Sequence, residues 1–429
     1  MKLFKGREEI SEKQQEAWKE QANALLKEHD VKSGDIVICK ADTQLGTLFE
    51  WLVCQEMGLI PFFVSPDYAV EHSTFMEYTD AEYVLSADAH NVFTVQALQK
   101  GTGPHYDIPA GSVIHMTSAT TGKPKYILRT KEMLDLEIQR YSRRLQLSQT
   151  DVFCSIAPYF HAYSFLSSML PYLYKDAAMV IPDVLFPRNI IELCREQRVT
   201  VLFGVPYFLD KMSDTDEQYR FGDSIRYIIS SGEKLTNDVA KRFLHRFGIQ
   251  LRQQFGSTET GTITFSEEGE PLESQGKPIP GVDITIEHRD GRNYMVVNTN
   301  GTMGYYIRER LFPIAEDDYC TNDLAHFDEE GRLYIDGRGD DVIIRAGEKI
   351  NLREIAQVIE KIPDVTGASV SVGTDTLKEL ICRYNAPCEL DVSNIMAFCQ
   401  QYLSDFQIPR HYIWVEQEVG EKANWKHNK

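Results

Sequence analysis

Over most of this chain, short apolar runs of strand character alternate with stretches whose apolar residues recur every third or fourth position. DIVICK (35–40) precedes the amphipathic LGTLFEWLVCQEMG (45–58), and IPFFVS (60–65) follows. SVIHMTS (112–118) stands before KEMLDLEIQRYSRRL (131–145). VFCSIAP (152–158), AAMVIP (177–182), VTVLFGVP (199–206) and IRYIISSG (225–232) predict further strands, with RNIIELCREQ (188–197) and YFLDKM (207–212) as helical stretches between them. TNDVAKRFLHRFG (236–248) predicts a helix with a hydroxyl or amide cap at its start and a closing glycine. Strands and helices in alternation predict α/β units on mostly parallel sheets.

The pattern changes near residue 262. Short strands and turns follow in TITFSEEG, ITIEHRDGRNYMVVNT and GRLYIDG, and the central RDGR is a hairpin signal. After DGRGDD (336–341) comes a small α+β unit, with VIIRAG, the helix NLREIAQVIEKI, the strands GASVSVG and ELICRYN, the helix VSNIMAFCQQYLSDF and the strand HYIWVEQ. Two glycines flanking Arg338 give the backbone freedom to turn. The expected organisation is a large domain over 1–336, a hinge at 337–340 and a small domain over 341–429.

At 429 residues, two or three folded units are expected. The formal charge of −19 repels a phosphodiester backbone and argues against nucleic acid as a partner. An anionic substrate then needs locally placed cations, for which Lys123, Lys125 and Arg129 are available. No run of eighteen apolar residues is present, so no membrane span is expected, and the first residues lack the apolar region of a secretion signal. Eight scattered cysteines without a CxxC pair point to reduced thiols and a cytoplasmic location. No HxxxH or HExxH spacing offers a transition-metal site.

Three stretches carry chemistry. MTSATTGKPKYILRT (116–130) leaves an apolar run and at once offers hydroxyls, a glycine and lysines. A strand, a hydroxyl-rich loop and a helix after Pro124 would aim donors at polyphosphate, although the stretch taken alone reads equally as a solvated loop. It is not a Walker A loop, because Pro124 follows Gly122 and Lys123 where Ser or Thr is required. QQFGSTETG (253–261) offers the flat face of Phe255, close approach at Gly256, the Thr258 hydroxyl and the Glu259 carboxylate. Glu259 could hold Mg²⁺ through one oxygen, since magnesium on polyphosphate needs only one or two protein carboxylates. Alone, this is a turn. In YCTNDLAHFDEEGRLYIDGRGDD (319–341), Asp323 and Arg338 flank a hairpin that could bring them together, and a carboxylate suits the vicinal diol of ribose. Alone, they read as a surface ion pair.

In order and spacing, these pieces resemble the adenylate-forming superfamily, which comprises acyl- and aryl-CoA synthetases, nonribosomal-peptide adenylation domains and firefly-type luciferases. TSATTGKPK (117–125) matches that family's phosphate loop with Ala119 in place of a glycine. FGSTE (255–259) stands for its YGxTE, TND (321–323) for its TGD, and GRGDDVIIRAGEKINLREIA (337–356) for its hinge motif. The resemblance runs from about residue 30 to the end, with an N-terminal part shorter than is usual. It implies an α/β fold, with a large N-terminal domain of mostly parallel sheets and a small β-barrel-like part, and a small mobile α+β C-terminal domain.

By the same resemblance, Thr117, Ser118, Thr120, Thr121, Gly122 and Lys125 would cradle the outer phosphates of ATP. Phe255 would stack on adenine, with Gly256 beside it letting the backbone come close to the ATP, and Gly232, Glu233 and Lys234 along the other side of the base. Thr258 would touch the α-phosphate, Glu259 would hold Mg²⁺, Asp323 would bind both ribose hydroxyls with help from Arg338, and Asp340 would be the hinge. A carboxylate approaching the α-phosphate also needs a cation nearby. Two unit charges about 4 Å apart, at an effective dielectric of about 20, attract by about 4 kcal/mol. The family places a lysine near its C-terminus. Aligning NWKHNK (424–429) selects Lys426 for that role, with Lys422 as competitor.

APYFHAYSF (157–165) aligns with the family segment lining the acid pocket. Phe160 and His161 stand where amino-acid-activating members carry an aspartate, which disfavours an α-amino acid. Ala162 replaces an asparagine of 2-hydroxybenzoate users. The expected substrate is an aryl acid without an ortho-hydroxyl, such as 3,4-dihydroxybenzoate in siderophore biosynthesis. His161, Ala162, Tyr163, Phe203, Val205 and Ser230 are the expected pocket, and His161 joins Lys426 and Thr258 as an expected catalytic residue. The expected protein is a stand-alone aryl-acid AMP ligase. It loads a carrier-protein phosphopantetheine, a preference drawn from the −19 charge, or it uses free CoA. A catalytically silent nucleotide- or acid-binding protein is the alternative of another class.

Overall fold

The computed structural model describes residues 1–70, 73–117, 124–315, 317–339, 341–345, 348–373 and 379–415. Ser118, Thr120, Thr121, Gly122, Asp340, Lys422 and Lys426 lie outside the described residues.

Two large sheets carry the N-terminal part. In the first, Ala178–Ile181, Val152–Ser155, Val201–Gly204, Tyr227–Ser230 and Arg252–Ser257 run parallel in that spatial order. Gly261–Phe265 and Lys277–Pro278 add antiparallel strands at one edge. The second has a parallel centre of Val113–Thr117, Ile60–Phe63, Ile36–Ala41 and Tyr83–Ala87. Lys125–Arg129, Tyr305–Ile307 and Leu311–Pro313 extend it antiparallel on one side. The sheets are therefore parallel at their centres and antiparallel at their edges.

The period-two alternation of the strands sorts their side chains into separate cores. Val37 and Cys39 face a cluster shared with Phe153, Val201 and Phe203 of the first sheet. Ile36 and Ile38 point the other way, against Phe62, Ile114 and Leu128. On the outer face of the first sheet, Cys154, Leu202 and Ile228 pack on helices that include Pro187–Glu196 and Asn237–Phe247. That last helix has the expected ends: the Thr236 hydroxyl accepts from Val239 N–H, and Gly248 closes it at φ 70°.

A four-stranded antiparallel sheet follows, ordered Asp283–Arg289, Arg292–Asn298, Tyr319–Phe327, Leu333–Arg338. Its first hairpin turns at Asp290 and Gly291, both at positive φ, as RDGR predicts. The C-terminal unit has the helices Leu352–Ile359 and Val392–Cys399 and the three-stranded sheet Gly367–Val372, Leu380–Asn385, His411–Val415, around a core of its own.

One expectation is corrected. Lys125–Arg129 is a strand hydrogen-bonded to Val113–Thr117, and Thr117 pairs directly with Lys125, so no helix follows Pro124. The run Tyr126–Leu128 is apolar and buried on both faces, as is Arg129 after it, and a run buried on both faces forms an inner strand. The helix begins only at Lys131.

Glu50 makes a separate prediction about stability. It is fully buried on the helix Gln44–Met57; one carboxylate oxygen accepts Lys40 N–H at 3.1 Å and the other has no partner. Burial, and secondarily the neighbouring Cys54, push its pKa well above the ordinary carboxylate value. A carboxyl raised in the folded state favours the protonated protein, so stability declines as pH rises from the ordinary value towards the raised one. Melting from about pH 5 to about pH 8 should show that decline, and Glu50→Gln should flatten it.

Candidate active site

Of the residues expected around a nucleotide, Thr117, Lys125, Glu259, Asp323 and Arg338 lie near one another, on strands and a turn of the two large sheets and the four-stranded sheet. Asp323 and Arg338 are direct register partners across their hairpin, and Arg338 Nη1 lies 3.4 Å from Asp323 Oδ1. Asp323 is largely buried, Arg338 half exposed. Burial raises the Asp323 pKa most strongly; Arg338 and a hydrogen bond from Thr321 lower it, while Glu259 and Asp341 raise it further. Asn322, just before it, adopts the left-handed conformation at φ 64°, where the resembling family carries glycine.

Lys125 Nζ lies 3.5 Å from Glu259 Oε1 and 5.6 Å from the Tyr306 ring centroid. Tyr306 comes from the strand pairing with Lys125–Arg129, and its hydroxyl is 3.5 Å from that of Tyr319. Burial raises the Tyr319 pKa, and the Glu259 charge adds to this. Thr117, Lys125, Glu259, Asp323 and Arg338 are thus brought to one neighbourhood. The single carboxylate of Glu259 fits Mg²⁺ carried by polyphosphate, where most ligands are phosphate and water oxygens. Among the described residues, no group of three His, Cys, Asp or Glu side chains is arranged to hold a metal by itself.

The Phe255–Gly261 turn depends on two glycines. A Cβ on Gly256 would lie 2.2 Å from the Gly261 carbonyl oxygen, so only glycine permits that approach. Gly261 sits at φ 71°, and a Cβ there would meet Glu137 Oε2 at 2.3 Å. Within the turn, Ser257 N–H donates to the Thr260 hydroxyl and Thr260 N–H to the Ser257 hydroxyl, each at 3.2 Å, which leaves Thr258 and Glu259 at the tip. Phe255 is half-buried and Gly256 exposed.

Arg129, expected as a free cation, is not free. It is 1% exposed; Nη1 donates to Glu137 Oε2 and to the Thr302 carbonyl, both at 2.8 Å, and Nη2 donates to the Thr258 carbonyl at 3.1 Å. Glu137 Oε1 accepts Thr262 N–H at 2.9 Å. Sequence reasoning missed Glu137. Its signal was a carboxylate on the helix face that also carries Leu134, Ile138 and Tyr141, where a charge requires a buried partner.

On the acid side, His161 follows the parallel strand Val152–Ser155, and its ring lies 4.4 Å from that of Phe160, tilted at 51° to it. It remains exposed to solvent, yet the protein packed around it pushes its pKa below the ordinary imidazole value. Ala162 and Tyr163 begin a helical stretch that widens to a π-turn over Phe165–Met169, a feature often found beside functional sites. The Tyr163 hydroxyl lies 3.3 Å from the Gly204 carbonyl and 3.2 Å from that of Ile229. Phe203 is fully buried, stacked on Phe153 at 6.0 Å. Val205 directly follows the strand Val201–Gly204, close to Gly232, and Gly232, Glu233 and Lys234 are exposed. The Ser230 hydroxyl is buried without a hydrogen-bond partner, as is His115 Nε2; burial holds the His115 pKa at about 3, so that ring is neutral. A cavity of about 290 Å³, lined by Lys40, Asp42, Ser86 and Asp88 among others, contains none of these residues. Among the described residues, no helix is long and apolar enough to cross a membrane.

Comparison with known proteins follows the same lines. A family model described as AMP-binding enzyme matches residues 9–306. The medium-chain fatty-acid–CoA ligase of Escherichia coli (strain K12) is 28% identical over 328 residues, which cover 71% of this chain and 58% of that protein. The 2-succinylbenzoate–CoA ligase of Lactococcus lactis is 26% identical over 260 residues, covering 59% of this chain and 56% of that one. The match thus spans less than two thirds of either relative. Among solved structures, the O-succinylbenzoate coenzyme A synthetase of Bacillus subtilis in complex with ATP and magnesium shares the fold at TM-score 0.77 and 21% identity, over 96% of this chain and 92% of that one.

Proposed function

The chain belongs to the AMP-binding enzyme family, and on that premise we propose that it is an acid–CoA ligase. It joins a carboxylic acid to the α-phosphate of ATP with release of pyrophosphate, then transfers the acyl group to the thiol of CoA with release of AMP. The observation that carries this reading is the convergence of Asp323 with Arg338 and of Lys125 with Glu259 in one neighbourhood.

In this reading the Lys125–Glu259 ion pair exchanges partners when nucleotide enters. Lys125 turns to the outer phosphates, and Glu259 is freed to hold Mg²⁺. When bound, that ion neutralises phosphate charge. Asp323, ionised, accepts hydrogen bonds from both ribose hydroxyls, and the Thr258 hydroxyl reaches the α-phosphate. Lys426 offsets the charge of the attacking carboxylate. The hinge at Asp340 divides 1–336 from 341–429 and allows the small domain to serve both half-reactions.

Free CoA replaces the carrier protein preferred from charge alone. The two curated relatives compared above are CoA ligases by name. Net charge sums over the whole surface and says little about the local patch that meets the thiol donor. For the acid, the aromatic and neutral surroundings of His161, together with the unpartnered Ser230 hydroxyl, favour an aryl or arylalkyl acid over an α-amino acid. The test is incubation with ATP, Mg²⁺, CoA and a panel of benzoates (3,4-dihydroxybenzoate included), arylalkyl acids, medium-chain fatty acids and amino acids, read by mass spectrometry. Aryl thioesters are expected. Turnover of fatty acids alone would overturn the acid assignment, and acyl transfer only to a phosphopantetheinyl protein would overturn the choice of CoA.

A further inference from the structure

The catalytic neighbourhood is built from two pieces far apart in sequence: the hairpin Val113–Arg129, and the turn between Arg252–Ser257 and Gly261–Phe265. They belong to different sheets. A nucleotide that grips the hairpin through its outer phosphates and the turn through its metal and α-phosphate needs the separation of the two to be right before it binds.

One buried group spans that gap. Arg129, the last residue of the hairpin's second strand, reaches the Thr258 carbonyl at 3.1 Å and the Thr302 carbonyl at 2.8 Å, and pairs with Glu137 at 2.8 Å. Glu137 closes the loop by accepting the N–H of Thr262, on the far side of the same turn. The turn is therefore held on both limbs, at Thr258 by the cation and at Thr262 by the anion. Gly261 is the point at which it leans on the Glu137 carboxylate, since any Cβ there would collide with it. Tyr141, one helical turn beyond Glu137, donates to Gln254 Oε1 at 2.7 Å, and Gln254 Nε2 donates to Thr262 Oγ1 at 3.0 Å, so the same helix also fixes the strand leading into the turn.

A bare stability role explains this poorly. Apolar residues of similar volume fill such a space at least as well, because two charges must be stripped of water to occupy it. A planar guanidinium with several fixed donors does what an apolar residue cannot, which is to set the positions of backbone carbonyls from two different segments.

We propose that the buried Arg129–Glu137 pair is a positioning device that fixes the hairpin and the Thr258–Glu259 turn at the separation required by a metal–polyphosphate ligand. The proposal rests on the reading of the site given above. Neither side chain touches substrate; both act through Thr258 and Thr262.

Two measurements test it. In the nucleotide-free wild type, hydrogen exchange resolved to single amides should show Ser257, Thr260 and Thr262, whose N–H groups donate within the turn and to Glu137, protected to the same degree as the helix Lys131–Arg144. Exchange at the rate of exposed loops would overturn the proposal without any variant being made. In Glu137→Gln, which keeps an oxygen for Thr262 N–H but removes the charge that orients Arg129, calorimetric titration should show MgATP binding weakened about tenfold. Metal-free ATP binding should change less than about twofold, and kcat should fall about a hundredfold with the KM of the acid unchanged. Equal loss of both ATP affinities, or a lowered melting temperature with unaltered MgATP binding and kcat, would mean a structural role only. A wild type that binds no MgATP would refute the assigned function, while the exchange pattern would still decide whether the turn is braced.

Discussion

Asp323→Asn yields a protein that melts at a higher temperature near neutral pH and binds ATP at least about tenfold more weakly. The two effects share one cause. Burial raises the Asp323 pKa against the opposing influence of Arg338, and Glu259 and Asp341 add like charge. A carboxyl whose folded-state pKa lies above its unfolded value is protonated more readily in the fold, so its ionised form at neutral pH lowers stability. Asparagine is the neutral isostere and removes that cost, while Arg338, half exposed, stays hydrated without its partner. An amide offers one acceptor oxygen and a donor nitrogen, and so cannot present a separate acceptor oxygen to each hydroxyl of a ribose. A hydrogen bond to a charged acceptor is worth about 1.5–3 kcal/mol, or roughly ten- to a hundredfold in affinity. In the wild type the same logic makes ATP affinity decline as pH falls through the raised value. Thermal melting and calorimetric titration at about pH 7 give both readings. A lower melting temperature with unchanged ATP affinity would remove Asp323 from the nucleotide site.

The second large effect concerns Lys426→Ala. Removing the cation beside the developing charge raises the barrier by about 4 kcal/mol, which slows the adenylate-forming step about a thousandfold. ATP affinity should hold, because the outer phosphates, the ribose and the adenine are gripped elsewhere. Lys422→Ala should leave the rate within about twofold. Pre-steady-state measurement of acyl-adenylate separates the two lysines, and the reverse ranking would transfer the role to Lys422.

Much of this architecture was legible from residue patterns. The alternation of DIVICK with LGTLFEWLVCQEMG gives the strand Ile36–Ala41 and the helix Gln44–Met57, because each sorts its apolar residues by its own period. RDGR gives its hairpin because Asp290 and Gly291 accept positive φ. Asp323 and Arg338, nominated on opposite sides of a turn, are direct cross-strand partners. What the pattern misplaced is equally physical. Tyr126–Arg129 is buried on both faces, so it shows no alternation, and phosphate-loop logic suggested a helix where a strand stands. Arg129 looked like a free cation because its partner is eight residues away on a helix and its carbonyl acceptors are far along the chain, at Thr258 and Thr302. How Phe203 is enclosed, with Phe153 stacked on it and Tyr163 edge-on, depends likewise on residues far along the chain. Such tertiary partnerships leave no local signature.

ATP–pyrophosphate exchange without CoA isolates the adenylate-forming half-reaction. Offered ATP, Mg²⁺ and an acid it activates, the protein should return labelled pyrophosphate into ATP, and Asp323→Asn should lose nearly all of that exchange. Wild-type protein that binds ATP but exchanges no label with any aryl, arylalkyl or medium-chain acid would contradict an acid-activating role.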